Sequence, residues 1–201
     1  LSGKELEYSH SFDKQAIKEA IQQRDFSLEK RKVLKESLLK DYELLFDDFK
    51  SGESHQAVYA NIEKLEDEKT YTVCTGHQIC VLGGPLFFLY KIAATINLAN
   101  QLKEDYPDYN FVPVYWMATE DHDFEEIRSV FLFGNSYTWN KEHQSQPVGR
   151  MNSNGFNEFL ESIESQIREK DKFQSLKNLF EDSYDGKSLA SATMQWVHGL
   201  F

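Results

Sequence analysis

Between residues 71 and 118 the chain passes from a β-branched run, through two glycines and a proline, into a long apolar stretch and out into a second apolar run. Tyr71-Thr72-Val73-Cys74-Thr75 suits a pleated, half-buried surface. Phe111-Val112-Pro113-Val114-Tyr115-Trp116-Met117-Ala118 is apolar throughout, the pattern of parallel strands covered on both faces. Between them Gly83 and Gly84 offer a tight turn, and Pro85 suits the first position of a helix. That helix is predicted from Pro85 to about Lys103. Its first half (Leu86, Phe87, Phe88, Leu89, Tyr90, Ile92, Ala93, Ala94, Ile96) is apolar nearly all round, which predicts burial against a sheet. Strand, glycine turn, helix, strand is a βαβ unit, so the chain is expected to fold as α/β with a parallel sheet.

The flanking sequence predicts mostly helix. Residues 1–68 are charged, with Phe12, Ala16, Ile17, Ala20 and Ile21 at helical spacing. A second stripe holds Leu28, Val33, Leu34, Leu38, Leu39, Leu44, Leu45 and Phe49, and a third short helix carries Ala57, Val58, Asn61, Ile62 and Leu65. His10 and His55 sit among polar residues and read as solvated. Past residue 126, Ser129–Phe133 and Ser136–Trp139 read as a hairpin around Gly134-Asn135. A polar loop over 140–154 and helices near 155–169, 171–182 and 187–198 complete the pattern. The expected organisation is a helical segment over 1–68 and an α/β core over 69–201. An insert of about 140–186 begins within that core.

With 22 Lys and Arg against 33 Asp and Glu, the chain carries a net charge of −11. Such a surface repels phosphate backbones, so no nucleic-acid partner is expected. No apolar run approaches the ~20 residues of a membrane span, and LSGKELEYSH has no apolar core of a secretory signal. Cys74 and Cys80 read as two reduced thiols of a cytoplasmic protein, their C-x₅-C spacing being a poor zinc signature. The chain starts without Met and ends on Gly199-Leu200-Phe201, which reads as a piece of a longer protein.

Two segments concentrate the chemistry, each at the end of a predicted strand, where open α/β sheets place their ligands. The first is Thr75-Gly76-His77-Gln78, followed by Gly83-Gly84-Pro85. A strand feeding a Gly-Gly-Pro helix start presents free amides at the positive helix end, where phosphate or carboxylate binds. His77 and Gln78 add donors there; alternatively, the glycines merely join strand to helix. Lys91 is either a snorkelling lysine or a cation aimed at the cleft. The second segment is Thr119-Glu120-Asp121-His122-Asp123-Phe124-Glu125-Glu126. Thr119 or Asp123 can cap a helix, with Glu126 three residues beyond Asp123. Capping does not account for a histidine between two aspartates. Glu120, Asp121, His122 and Asp123 suit either Mg²⁺ ligation through oxygen or binding of an amine and acceptance of its proton.

The stretches TGHQ-x₄-GGPLFFLYKI and PVYWMATEDHDFEEI, with the tail Ser191-Ala192-x-Met194-x-Trp196-Val197-His198-Gly199-Leu200-Phe201, resemble the bacillithiol biosynthesis cysteine-adding enzymes, bacterial cysteine ligases. His77 stands where many members carry Gln. The resemblance covers essentially the whole chain but only the N-terminal part of the family's length. It implies a Rossmann-like core of the class I synthetase/nucleotidyltransferase kind, with TGHQ…GGP in the place of the phosphate-binding motif of the class I aminoacyl-tRNA synthetases. It further implies a C-terminal coiled coil and a homodimer of the full-length protein. The implied reaction joins cysteine to glucosaminyl malate as an amide. A carboxylate is a poor acyl donor, so ATP is the expected activator, through an adenylate or an acyl phosphate. The nucleotide or substrate would meet Thr75, Gly76, His77, Gln78, Gly83, Gly84, Pro85, Lys91, Thr119 and Glu120. Asp121, His122 and Asp123 would serve the amines. Two other readings stay open: a metal-dependent hydrolase or transferase built on Glu120–Asp123, and a non-catalytic piece of a larger enzyme.

Overall fold

The computed structural model describes residues 14–47, 49–142 and 145–201, so His10 and Phe12 lie outside the described residues. In chain order the elements are α1 (Lys14–Gln23), α2 (Leu28–Leu45), α3 (Gln56–Lys64), β1 (Thr70–Gln78), α4 (Leu86–Asp105) and β2 (Asn110–Ala118). There follow α5 (Phe124–Ile127), β3 (Ser129–Leu132), β4 (Asn135–Thr138), α6 (Phe156–Glu164), α7 (Lys170–Tyr184) and α8 (Leu189–Leu200). The chain divides into two compact units: residues up to 71 with 103–112, and residues 72–102 with 113–201.

In the first unit α2 starts at Ser27, whose Oγ accepts the Lys30 amide at 3.4 Å. Half of the apolar stripe expected here is solvent-facing, with Leu28, Val33, Leu34 and Leu44 at 43%, 61%, 37% and 78% exposed, whereas Leu38, Leu39 and Leu45 are half-buried and Phe49 is buried. The residue α2 buries is Arg31. Its guanidinium donates to the carbonyls of Phe26, Leu65, Glu68 and Thr70 at 3.0–3.3 Å. His55 is also buried rather than solvated, against the rings of Phe46 and Phe49 at 4.7 and 5.8 Å. Its polar sequence neighbours gave no sign of this, because the aromatic partners come from a different turn of the chain.

β1 and β2 form a two-stranded sheet. The Asn110 amide donates to the Lys69 carbonyl at 3.0 Å, and Gly76 lies against Trp116 further along, so both strands advance together and are parallel. The expected βαβ unit of an α/β fold is present. α4 buries one stripe, Phe88, Ile92, Thr95, Ala99 and Leu102. Leu86, Phe87 and Tyr90 are 64–66% exposed, so the all-round burial predicted for its first turns does not occur. Within the second unit Phe88 packs edge-on to Tyr115 and contacts Trp196 of α8 at 5.2 and 5.6 Å between ring centres. Trp139, Phe156 and Tyr184 extend this core; Phe156 and Tyr184 stack at 3.6 Å. The hairpin turns on Phe133-Gly134, one residue earlier than expected, both with positive φ (53° and 85°), as a two-residue turn of this kind requires. Among the described residues no helix is long and apolar enough to cross a membrane.

Candidate functional site at the strand ends

β1 runs on through Thr75-Gly76-His77-Gln78, so this segment is strand and not turn. The turn proper is Val81–Gly83, a single 3₁₀ turn. Leu82, Gly83 and Gly84 have φ of 52°, 78° and 55°. A Cβ on Gly84 would lie 2.5 Å from Cys80 Cβ, so glycine is demanded there by both space and dihedral. The Gly83 and Gly84 amides are already given to the carbonyls of Cys80 and Val81. Pro85 lies just before α4 and has no N–H, and its carbonyl accepts the Phe88 amide at 2.8 Å. The amides left at this helix start are those of Leu86 and Phe87, which have no intrahelical acceptor.

His77 Nδ1 lies 3.1 Å from the Gln78 carbonyl. A carbonyl only accepts, so Nδ1 carries the proton and Nε2 is the nitrogen left for a ligand. The ring stands edge-on to Phe88 at 5.2 Å and 3.8 Å from Cys80 Sγ. Burial, and then the Glu126 carboxylate, push the Cys80 thiol up to about 11, so it stays protonated. Tyr115 donates to the His77 carbonyl at 3.3 Å and is likewise raised by burial. Lys91 Nζ donates to the Gly76 carbonyl and lies 5.6 Å over the Phe87 ring.

Gln78 joins the two segments. Its Nε2 donates to Asp121 Oδ2 at 2.5 Å and to Glu126 Oε2 at 3.0 Å. Asp121 Oδ1 meanwhile accepts the amides of His122 and Asp123 at 2.6 and 3.0 Å. The Asp123 amide, then Gln78 and the His122 amide hold the Asp121 carboxyl below its usual range, and it is a carboxylate at neutral pH. Asp123 caps α5, its Oδ1 accepting the Glu126 amide at 3.0 Å, as the capping pattern predicts. Asp121 and Asp123 are thus engaged in local structure, whereas the exposed His122 ring makes no hydrogen bond among the described residues. Thr75 is half-buried in β1, while Thr119 and Glu120 form the turn leaving β2. No three His, Cys, Asp or Glu side chains converge on a point fit for a metal among the described residues.

Reasoning from sequence missed the segment Pro147–Arg150, read there as loop. The Val148 amide donates to the Asp121 carbonyl at 2.7 Å and the Gly149 amide to the Thr119 carbonyl at 3.0 Å. A Cβ on Gly149 would lie 2.6 Å from Thr119 Cβ, so the glycine permits this approach. The available signal was a lone Val-Gly between Pro and Arg inside a polar stretch.

Comparison with known proteins gives this arrangement its relatives. Residues 3–201 match the family model described as bacillithiol biosynthesis BshC, N-terminal Rossmann-like domain. A Flavobacterium johnsoniae protein named "Putative cysteine ligase BshC" is 43% identical over 192 residues, 95% of this chain and 34% of its own length. Proteins of the same name from Cytophaga hutchinsonii and Bacillus cereus are 38% identical over 96% of this chain and 35% identical over 65% of it. The chain spans about a third of the length of the relatives that cover it most fully, 34% in both the Flavobacterium johnsoniae and Cytophaga hutchinsonii cases. The resemblance drawn from the TGHQ, GGP and EDHD segments therefore holds, as does the Rossmann-like α/β class, and the chain belongs to the bacillithiol biosynthesis BshC family as its N-terminal Rossmann-like domain.

Proposed function

We propose that this domain carries the amine- and anion-binding face of a ligase that adds cysteine to glucosaminyl malate. The observation that carries the reading is Gln78, whose one amide nitrogen bonds both Asp121 and Glu126 and so makes one polar surface of two strand ends. On that surface the groups differ in what they are free to do. Asp121, committed to three donors, is a fixed negative charge. His122 beside it is the group free to take a proton, its exposed ring making no hydrogen bond among the described residues. The glucosamine amine reaches neutral solution protonated and must lose a proton to attack; His122 is assigned that proton. Asp123 and Gln78 hold the segment in register.

ATP is the proposed activator, supplying the leaving group that turns the cysteine carboxylate into an acyl donor. The Leu86 and Phe87 amides fit its phosphates, being donors at a helix start, while His77 Nε2, left without a proton, would accept from a ligand hydroxyl. The carboxylates of Glu120 to Glu126 do not fit the phosphates. Mg²⁺, if it accompanies the nucleotide, would be held by phosphate oxygens and water with at most one or two of these carboxylates. A homodimer of the full-length protein, a cytoplasmic site of action and the absence of nucleic-acid or membrane partners belong to the same proposal.

The test is the rate of cysteine addition by the full-length protein with His122 replaced. His122→Ala is expected to lower kcat by about 10²–10⁴-fold, the usual worth of a positioned acid–base group, with cysteine binding retained. Undiminished kcat in that variant contradicts the assignment.

A further inference from the structure

Beside the Gln78-centred surface lies an open cleft of about 450 Å³, lined by Thr119, Glu120, Pro147, Gly149, Arg150, Ser188 and Ala190. We infer that it is a subsite for a small ligand bearing both a carboxylate and an ammonium group, with Arg150 taking the carboxylate and Glu120 the ammonium.

The cleft is fixed by backbone. The Gly149 amide is bonded to the Thr119 carbonyl and the Val148 amide to the Asp121 carbonyl, so Arg150 stands one residue from a pinned position. Also lining it, Ser188 opens α8, its Oγ accepting the Ser191 amide at 3.2 Å, and Leu189 donates to the Met151 carbonyl at 2.8 Å. Ala190 follows, an early helix position whose amide has no intrahelical acceptor.

Charge selects the ligand class. Arg150 and Glu120 line one cleft, and neither side chain makes a hydrogen bond or ion pair among the described residues. One charge of each sign is thus presented to the same cleft. A polyphosphate would meet Glu120 as a repelling charge. A divalent cation would find a single carboxylate and a repelling arginine. A ligand with both charges meets a partner for each, the arginine through a planar fork matched to carboxylate. The remaining lining, Pro147, Gly149 and Ala190, is small and uncharged, which suits a short substituent.

The inference rests on the proposed ligase reading for the ligand's identity, because cysteine and glucosaminyl malate each carry both groups. The rates of the full-length protein, with each substrate varied in turn, decide between them. Arg150→Gln and Glu120→Gln are expected to raise KM for one of the two substrates by about tenfold to a hundredfold. The substrate whose KM responds is the occupant; kcat changes little. Wild-type KM for both substrates in both variants, or a loss confined to kcat, overturns the assignment. A second measurement does not depend on turnover. In ¹H–¹⁵N spectra the Gly149, Arg150 and Ala190 amides are expected to shift on titration with L-cysteine or glucosaminyl malate. Arg150→Gln abolishes the response to 3-mercaptopropionate but keeps that to cysteamine, and Glu120→Gln does the reverse. These shifts without any ligase activity leave the subsite standing and sink the ligase reading. Ligase activity with no shift at these amides does the opposite.

Discussion

At the scale of single residues, the site divides side chains that are spent from those that are free. Asp121 is the most constrained: Gln78 holds one oxygen and two backbone amides the other. Its depressed folded pKa means that its stabilising bonds are in full force above the ordinary carboxylate range and are lost as pH falls through that lowered value. On acid titration the His122 and Asp123 amide signals are therefore expected to move with a midpoint below 3.8, the ordinary value for this group. A midpoint at or above it would mean that the bonds to Oδ1 do not form in solution. Cys80 offers a second test, for its raised thiol makes it a poor nucleophile. At neutral pH the exposed Cys74 is expected to react first with a thiol-specific reagent, as peptide mapping by mass spectrometry would read.

At the scale of elements, the turn between β1 and α4 depends on glycine and the N-terminal helix on a buried arginine. Gly84→Ala places a Cβ 2.5 Å from Cys80 Cβ at a φ of 55°. It is expected to cost about 1–3 kcal/mol of stability in urea unfolding, and an unchanged midpoint would exclude the positive-φ turn. Arg31→Met removes the donor shared by four carbonyls, with an expected loss of about 1–3 kcal/mol in the same assay. Thr193→Val should behave oppositely. The Thr193 hydroxyl is fully buried and makes no hydrogen bond of good geometry, although it and the Trp196 indole stand close enough to interact with the Tyr184 hydroxyl. Exchanging it for a methyl is expected to leave stability unchanged or raise it by up to about 1 kcal/mol. A clear loss would mean that the hydroxyl is bonded after all.

At the scale of the whole molecule, what the sequence disclosed and what it hid follow from range. The βαβ unit, the hairpin and the Asp123 cap are written in neighbouring residues: alternation, a glycine pair, a carboxylate three before an amide. The bond from Gln78 to Asp121 and Glu126 was legible only as a likelihood of meeting, since two strand ends of a parallel pair lie on the same side. Three features escaped because local pattern does not report what comes alongside. The leucines of α2 look like a buried stripe, yet it is Arg31 that is buried. His55 has polar neighbours in sequence and aromatic ones in space. Pro147–Arg150 reads as loop and is pinned to the Thr119 and Asp121 carbonyls. The central claim is that the β1 and β2 ends act as one site through Gln78. A double-mutant cycle on kcat/KM for cysteine addition, with Gln78→Leu and Asp121→Asn singly and together, tests it most directly. The predicted result is strong non-additivity, a coupling of about 0.5–3 kcal/mol between residues in contact. Losses that simply add would contradict it.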